Sequence, residues 1–178
     1  MTRIAEHEMT GKALQDVAAL MTTAARTAPK TRGKDDLFTL AVTGRDIEKL
    51  AVRMDETGKE TGEHFFERDA ENIRKSPVLI LLGARISPAR LPKCGMCGYA
   101  DCDEKDLHPD SPCVFNTIDL GIATGSAVSV AADHRVDNRV MYTVGQAAID
   151  LGYLPQEYRI VIGIPLSVTT KNIFFDRK

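Results

Sequence analysis

The run Val78-Leu79-Ile80-Leu81-Leu82, entered through Ser76-Pro77, contains no polar residue. Apolar residues in unbroken succession suit a strand covered on both faces, since a half-solvated strand alternates apolar with polar positions. This segment belongs inside a sheet. On its N-terminal side, a charged helix from about Glu63 to Lys75 ends before Pro77. Ahead of it, Gly44-Arg45-Asp46 opens a helix whose Ile47, Leu50, Ala51 and Met54 form an inner stripe, with Gly58 and Gly62 ending it. Leu37 to Val42 reads as a short buried strand. Met9 to Ala28 carries Leu14, Val17, Ala18, Met21, Ala24 and Ala25 at a helical period, and Pro29 and Gly33 stop it.

On the C-terminal side the composition changes. Ser87 to Cys113 is rich in Pro, Gly, Asp and Cys and has no apolar period, which predicts a segment folded by metal rather than by a core. Helical patterning resumes over Asn116 to Ala132, where Gly121, Ala123, Gly125 and Ala127 make a surface of small residues. Such a surface serves tight helix packing, or the close approach of a flavin or a partner. A further helix is expected over Asn138 to Leu151, capped by Gly152. Ile160 to Leu166 gives a last strand, followed by a polar C-terminal tail. No internal repeat or low-complexity tract interrupts the chain.

All four cysteines lie in the changed segment. Cys94-Gly95-Met96-Cys97-Gly98-Tyr99-Ala100-Asp101-Cys102, followed by Cys113 behind Pro112, has the spacing C-x2-C-x4-C-x10-C. A C-x2-C turn brings two thiolates to one centre without strain, and glycines after the first two cysteines let backbone N–H groups face the sulfurs. Iron–sulfur, zinc and disulfide chemistry all use such a set. With zinc, His108 is able to replace one thiolate in a Cys3His site; the same residue also reads as a solvated loop histidine. The glycines and the lack of a second C-x2-C pair favour iron. The order of the spacings, reversed from plant-type C-x4-C-x2-C, favours [4Fe-4S] over [2Fe-2S].

Clustered thiols that must stay reduced predict a cytoplasmic, low-oxygen setting. The start Met1-Thr2-Arg3-Ile4-Ala5-Glu6-His7-Glu8 has no apolar signal core. The most apolar stretch, Ile118 to Ala132, is broken by polar residues and glycines, and no membrane span is expected from it. A chain of 178 residues, 43% hydrophobic, is long enough for one sizeable core with a small appended module. Its 23 basic and 25 acidic residues give a net charge of −2, which argues against general nucleic-acid binding, and the lack of tryptophan argues against a base-stacking surface.

No G-x-G-x-x-G, G-x4-G-K-[ST], H-E-x-x-H or G-x-S-x-G is present, so nucleotide and triad hydrolysis are poor expectations. Arg26, Lys30, Arg32 and Lys34 gather around the end of the first helix. They read as cations suited to a helix C-terminus, or as a set that holds a phosphate or anionic substrate. His134, in the polar Asp133-His134-Arg135-Val136-Asp137, reads as a solvated loop residue or as a proton donor. Asp101, Asp103, Glu104 and Asp106 make the cysteine loop acidic, either as a solvated charge run or as a docking face for a basic redox partner.

Cys94-Gly95-Met96-Cys97-Gly98 with its flanks resembles the ferredoxin-domain-containing prokaryotic family of unknown function over nearly the whole chain. The flanks also resemble a diverged nitroreductase, through Ala24-Ala25-Arg26-Thr27-Ala28-Pro29, Asp119-Leu120-Gly121-Ile122-Ala123 and Ile160-Val161-Ile162-Gly163-Ile164-Pro165. That second resemblance implies an α+β sandwich, an intertwined homodimer and FMN bound where the subunits meet. Two departures stand out. Only Arg3 remains where nitroreductases carry an R-x-S-x-R run for the flavin phosphate, and their flavin-contacting asparagine falls near Gly33.

The expected fold is therefore α+β, with nitroreductase-like helices around a small mixed β-sheet. Residues 1–86 and 115–178 would form the core and 87–114 a cysteine-rich metal-binding insert. The expected function is electron transfer or flavin-linked reduction of a small substrate. Cys94, Cys97, Cys102 and Cys113 would be the metal ligands, and Arg26, Lys30, Arg32 and Lys34 the FMN-binding set. A redox partner protein or a small molecule would be the partner, with no nucleic acid or membrane. The alternative is a zinc-stabilised interaction protein without redox activity.

Overall fold

The computed structural model describes residues 3–175. The first two residues of the expected non-signal start and the last three of the tail lie outside it. Helix α1 (Glu6–Thr27) leads through a short 3-10 turn (Thr31–Gly33) to β1 (Leu37–Thr43). Helices α2 (Arg45–Thr61) and α3 (His64–Arg74) precede β2 (Val78–Arg85). After a long irregular segment come the short α4 (Cys102–Asp106), α5 (Val114–Asp133), β3 (Asp137–Asn138), α6 (Tyr142–Asp150) and β4 (Tyr158–Ser167).

The four strands form one sheet in the order β1-β2-β4-β3. The apolar run sits where its composition demands, in β2 between β1 and β4, with Val78 to Ala84 buried. Its side chains alternate between two cores. Val78, Ile80, Leu82 and Ala84 join α1 and α5 on one face, while Leu79 and Leu81 join α2, α3 and α6 on the other. Each fully buried Val, Leu or Ile contributes about 1.5–3 kcal/mol relative to exposure.

Every pairing in the described sheet is antiparallel, which corrects the expected mixed sheet. The cause lies in the connection from β1 to β2. A parallel neighbour needs one crossover element, whereas α2 and α3 run out and back as a hairpin turned at Gly62, so β2 starts at the end where β1 stops.

The helix expected over Asn138 to Leu151 also begins later. Asp137 and Asn138 pair with Ser167 and Leu166 as β3, and Met141 exchanges two 2.8 Å backbone hydrogen bonds with Gly163. The open edge of β4 takes these backbone groups, leaving Tyr142 as the first helical residue. From there α6 lies directly on β4. A Cβ on Gly145 would stand 1.8 Å from the Val161 carbonyl oxygen, so no other residue fits at that crossing. The C-terminal tail contributes to the core as well, since Phe174 is buried in the second cluster.

Helix α5 is longer than the apolar stretch read from the sequence, and its length and composition are sufficient to cross a membrane, a test that the core helix of a soluble protein also passes. Here Leu120, Ala123, Ala127 and Ala131 pack into the core shared with α1 and the sheet. Its opposite face is a stripe of Ile118, Gly121, Ile122, Gly125 and Ser129, all exposed.

Candidate redox site at the start of α5

Two features meet at the N-terminal end of α5, a polar cavity and the cysteine segment. The cavity, about 410 Å³, lies between the turn after α1, the chain leaving β2, and the first turns of α5. Arg32, Lys34 and Arg90 bring positive charge to it, and Ser87, Asn116 and Asp119 line it with further polar groups.

The turn after α1 is tied to α5 by Asp119. This buried carboxylate accepts the Thr31 N–H at 3.0 Å and the Thr31 hydroxyl at 2.9 Å. Arg32 and Gly33 then turn with positive φ of 59° and 65°. Arg32 donates to the Ala89 carbonyl at 3.2 Å, and Lys34 pairs with Asp36 at 3.3 Å.

Of the four cations expected to bind a phosphate, the structure therefore brings Arg32 and Lys34 to the cavity. Arg26 and Lys30 do not line it. The Lys30 ammonium donates to the carbonyls of Ala25, Arg26 and Ala28 at 3.0, 2.6 and 2.9 Å, closing the C-terminus of α1. Arg26 pairs with Asp35 and reaches the Leu37 carbonyl. Lys30 is thus engaged at the end of α1 and Arg26 with the chain just beyond it, and neither side chain reaches the cavity.

Arg90 is the third cation lining the cavity. It adopts a positive φ of 50° and forms ion pairs with Asp103 at 2.9 Å and with Asp106, both on α4. One residue thus touches both the cavity and the helix that begins at Cys102. The neck of the segment is closed by a pair of 3.0 Å hydrogen bonds, Ser87 N–H to the Asn116 side-chain oxygen and the Asn116 amide to the Ser87 carbonyl.

Within the segment, Gly95 and Gly98 adopt φ of 56° and 90°, and the Gly98 N–H donates to the Gly95 carbonyl at 3.1 Å. Helix α4 is capped by Asp101, whose carboxylate accepts the N–H groups of Asp103 and Glu104 at 3.0 and 2.9 Å. Tyr99 stacks on His108 with ring centroids 5.0 Å apart, and the Tyr99 and Ser111 hydroxyls are 2.8 Å apart.

All four cysteines are free thiols. Cys94, Cys97 and Cys102 are partly exposed, and Cys113 is buried as the N-cap residue of α5. Among the described residues, no three or more His, Cys, Asp or Glu side chains are gathered into a metal-holding group. His134 lies exposed beyond the opposite end of α5, about 30 Å of helix away from Cys113.

Arg90, Ser87, Asn116 and Asp119 were not singled out as site residues by sequence reasoning. Asp119 left a trace, a carboxylate interrupting the most apolar stretch. Arg90 left none, since its place depends on a loop conformation that no spacing encodes.

The family described as "Uncharacterized protein containing a ferredoxin domain (DUF2148)" matches residues 110–177, a span that includes Cys113 but not the other three cysteines. An "Uncharacterized protein" of Archaeoglobus fulgidus is 39% identical over 179 residues, covering 97% of this chain and 96% of that protein. Among solved structures, the hypothetical oxidoreductase YcnD from Bacillus subtilis superposes with a TM-score of 0.54 at 17% identity, over 89% of this chain and 59% of that one. The FMN-dependent nitroreductase NfnB from Mycobacterium smegmatis, in complex with NADPH, gives 0.58 at 12% identity, over 88% and 78%. A BluB-like flavoprotein from Clostridium difficile gives 0.54 at 14% identity, over 96% and 84%. This chain thus spans about three fifths of YcnD and more of the others. Helices on both faces of a small antiparallel sheet are the nitroreductase-like fold, and the chain belongs to the family of uncharacterized proteins containing a ferredoxin domain.

Proposed function

We propose that the chain is an iron–sulfur redox protein that passes electrons to a flavin, which reduces a small acceptor. In this reading Cys94, Cys97, Cys102 and Cys113 hold a [4Fe-4S] cluster, and the cavity beside them takes FMN with its phosphate toward Arg32, Lys34 and Arg90. The cluster supplies single electrons from an external redox partner, and the flavin collects two for the substrate.

One observation carries the reading. The last cysteine of the set is the N-cap of α5, and the next turns of the same helix line the cavity. The two groups would therefore sit at one helix end, whose dipole favours negative charge. By type and number the four free thiols of one segment suit a four-thiolate centre, although no metal-holding group is gathered among the described residues, and Gly95 and Gly98 at positive φ give the segment the tight turns that drawing the thiolates together requires. The FMN-dependent nitroreductase NfnB has the same fold, which supports the choice of flavin.

A cytoplasmic setting belongs to this reading, because it keeps the thiols reduced. So does a homodimer formed through the exposed stripe of α5. A Cβ added at Gly121 or Gly125 would meet nothing within 4 Å, so no neighbour inside the chain calls for glycine there. Glycine inside a helix costs about 1 kcal/mol relative to alanine. Close approach of a second copy accounts for two glycines kept at that cost, with Ile118 and Ile122 beside them.

Anaerobic purification with iron, sulfide and zinc measured on one sample, followed by FMN titration, tests the proposal. About four irons and four sulfides per chain are expected, with flavin retained on gel filtration. A colourless protein with about one zinc would replace the redox reading with a structural clip. Iron and sulfide without flavin would reduce it to an electron carrier. Cys113→Ser gives a clean control, since serine is a favoured N-cap and α5 should keep its start while the metal is lost.

A further inference from the structure

The three cations of the cavity are not equally free. Lys34 pairs with the buried Asp36 at 3.3 Å, and Arg90 donates through Nη1 to Asp103 at 2.9 Å and through Nη2 to Asp106. Arg32 makes no ion pair among the described residues and donates to the neutral Ala89 carbonyl. An anion entering the cavity thus meets one guanidinium without a carboxylate partner and a second, Arg90, that two carboxylates already share.

Those two pairs are weakly held. The Arg90 side chain is 53% exposed and that of Asp103 87%, so water and salt screen the attraction. A phosphate group carries about two negative charges, and its oxygens accept two parallel N–H bonds from one guanidinium. Beside Arg32 it is the stronger partner for Arg90.

Helix α4 depends on the same pairs. None of its five side chains is a buried apolar one, and Leu107 just past its end is 77% exposed. Its cap, the Asp101 carboxylate, lies within the segment. Among the described residues, α4 makes no ion pair other than those with Arg90.

We propose that Arg90 is an exchangeable cation: a phosphate group entering the cavity beside Arg32 takes it from Asp103 and Asp106, so that filling the cavity loosens α4 and docking of α4 weakens anion binding. The inference rests on the phosphate-binding reading of the cavity proposed above and needs no metal. Hydrogen bonds to carboxylate are exchanged for hydrogen bonds to phosphate oxygen, with no proton or electron transferred. Linkage makes the two effects reciprocal and equal in size. Since α4 begins at Cys102, the state of the cavity reaches a cysteine through one side chain.

The experiment titrates the protein as purified with inorganic phosphate and with FMN by calorimetry, against chloride at equal ionic strength, and follows hydrogen exchange over residues 101–108. It compares wild type with Asp103→Asn/Asp106→Asn and with Glu104→Gln/Asp110→Asn. The second pair removes the same charge from acids that do not meet Arg90, since Glu104 accepts the Ala100 N–H and Asp110 pairs with Arg159. Asp103→Asn alone serves should the first double variant not accumulate.

In the wild type, saturating phosphate should speed exchange over 101–108 about 5-fold, the low end of ordinary couplings between sites. Asp103→Asn/Asp106→Asn should bind phosphate tighter by the same factor, and Glu104→Gln/Asp110→Asn should bind it as wild type does. In Arg90→Gln, exchange in α4 should no longer respond to phosphate. Equal tightening in both double variants would mean a general field effect and overturn the inference alone. Weaker binding in Asp103→Asn/Asp106→Asn would also overturn it, by showing that the carboxylates position Arg90 for the anion. So would exchange in α4 that phosphate leaves unchanged. A wild-type chain that binds neither phosphate nor FMN would remove the phosphate reading of the cavity and this inference together.

Discussion

The Asp119 carboxylate on α5 holds Thr31 by both its N–H and its hydroxyl, joining residues 88 positions apart. This contact sets the turn that carries Arg32 and Lys34 to the cavity. Replacing Asp119 with alanine leaves a partly buried N–H without its partner, and hydrogen bonds to charged groups are worth about 1.5–3 kcal/mol. Asp119→Ala should lower the urea midpoint by a corresponding amount and weaken FMN binding in a fluorescence titration. Full retention of both would mean the turn is held by other contacts.

Gly145→Ala should be among the most damaging small substitutions in the chain. The added methyl would overlap the Val161 carbonyl, and backbone on both sides leaves little room to adjust. Overpacking costs about 1–3 kcal/mol or more, read as a loss of the denaturation midpoint without change of slope. An unchanged midpoint would show that α6 is free to slide on β4.

The open glycines of α5 should behave in the opposite way. A Cβ added at Gly125 meets nothing within 4 Å, so Gly125→Leu should leave monomer stability unchanged or raised, while light scattering should report loss of the proposed dimer. A dimer that persists unchanged places its interface elsewhere.

Asp46, Lys49 and Tyr153 give a pH signature. Hydrogen bonding from Lys49, then from Tyr153, holds the Asp46 carboxyl below its ordinary 3.8. The folded state therefore binds that proton more weakly than the unfolded one, and the contribution is present above about pH 3.8 and lost as pH falls below it. Burial, then the bond to Asp46, raises the Tyr153 hydroxyl above its ordinary 10.0. Its contribution is present below pH 10.0 and lost as pH rises through the raised value. Asp46→Asn should flatten the acid limb of the stability profile and Tyr153→Phe the alkaline limb. Limbs unchanged in both variants would mean that other groups set the profile.

Elements with a strong local pattern were legible from the sequence. The unbroken run from Val78 to Leu82 placed β2 inside the sheet, and the apolar periods of Met9–Ala28 and of Ile47 to Met54 located α1 and α2 to within a few residues. What failed depended on tertiary context. Asn138 to Val140 read as helix because nothing local announces that the edge of β4 needs partners. Lys30 and Arg32 look equivalent as letters, and only the carbonyls exposed at the end of α1 separate a cap from a cavity cation.

The double hydrogen bond between Ser87 and Asn116 has an evolutionary consequence. It fixes the two points where the chain leaves and re-enters the helix-and-sheet body, independently of what lies between them. Loop-closure entropy rises by only about 0.6 kcal/mol for each doubling of length. The intervening stretch is therefore free to lengthen, shorten or be exchanged between lineages while the body keeps its shape, so new cofactor chemistry can be acquired by transplanting one loop rather than by redesigning a domain.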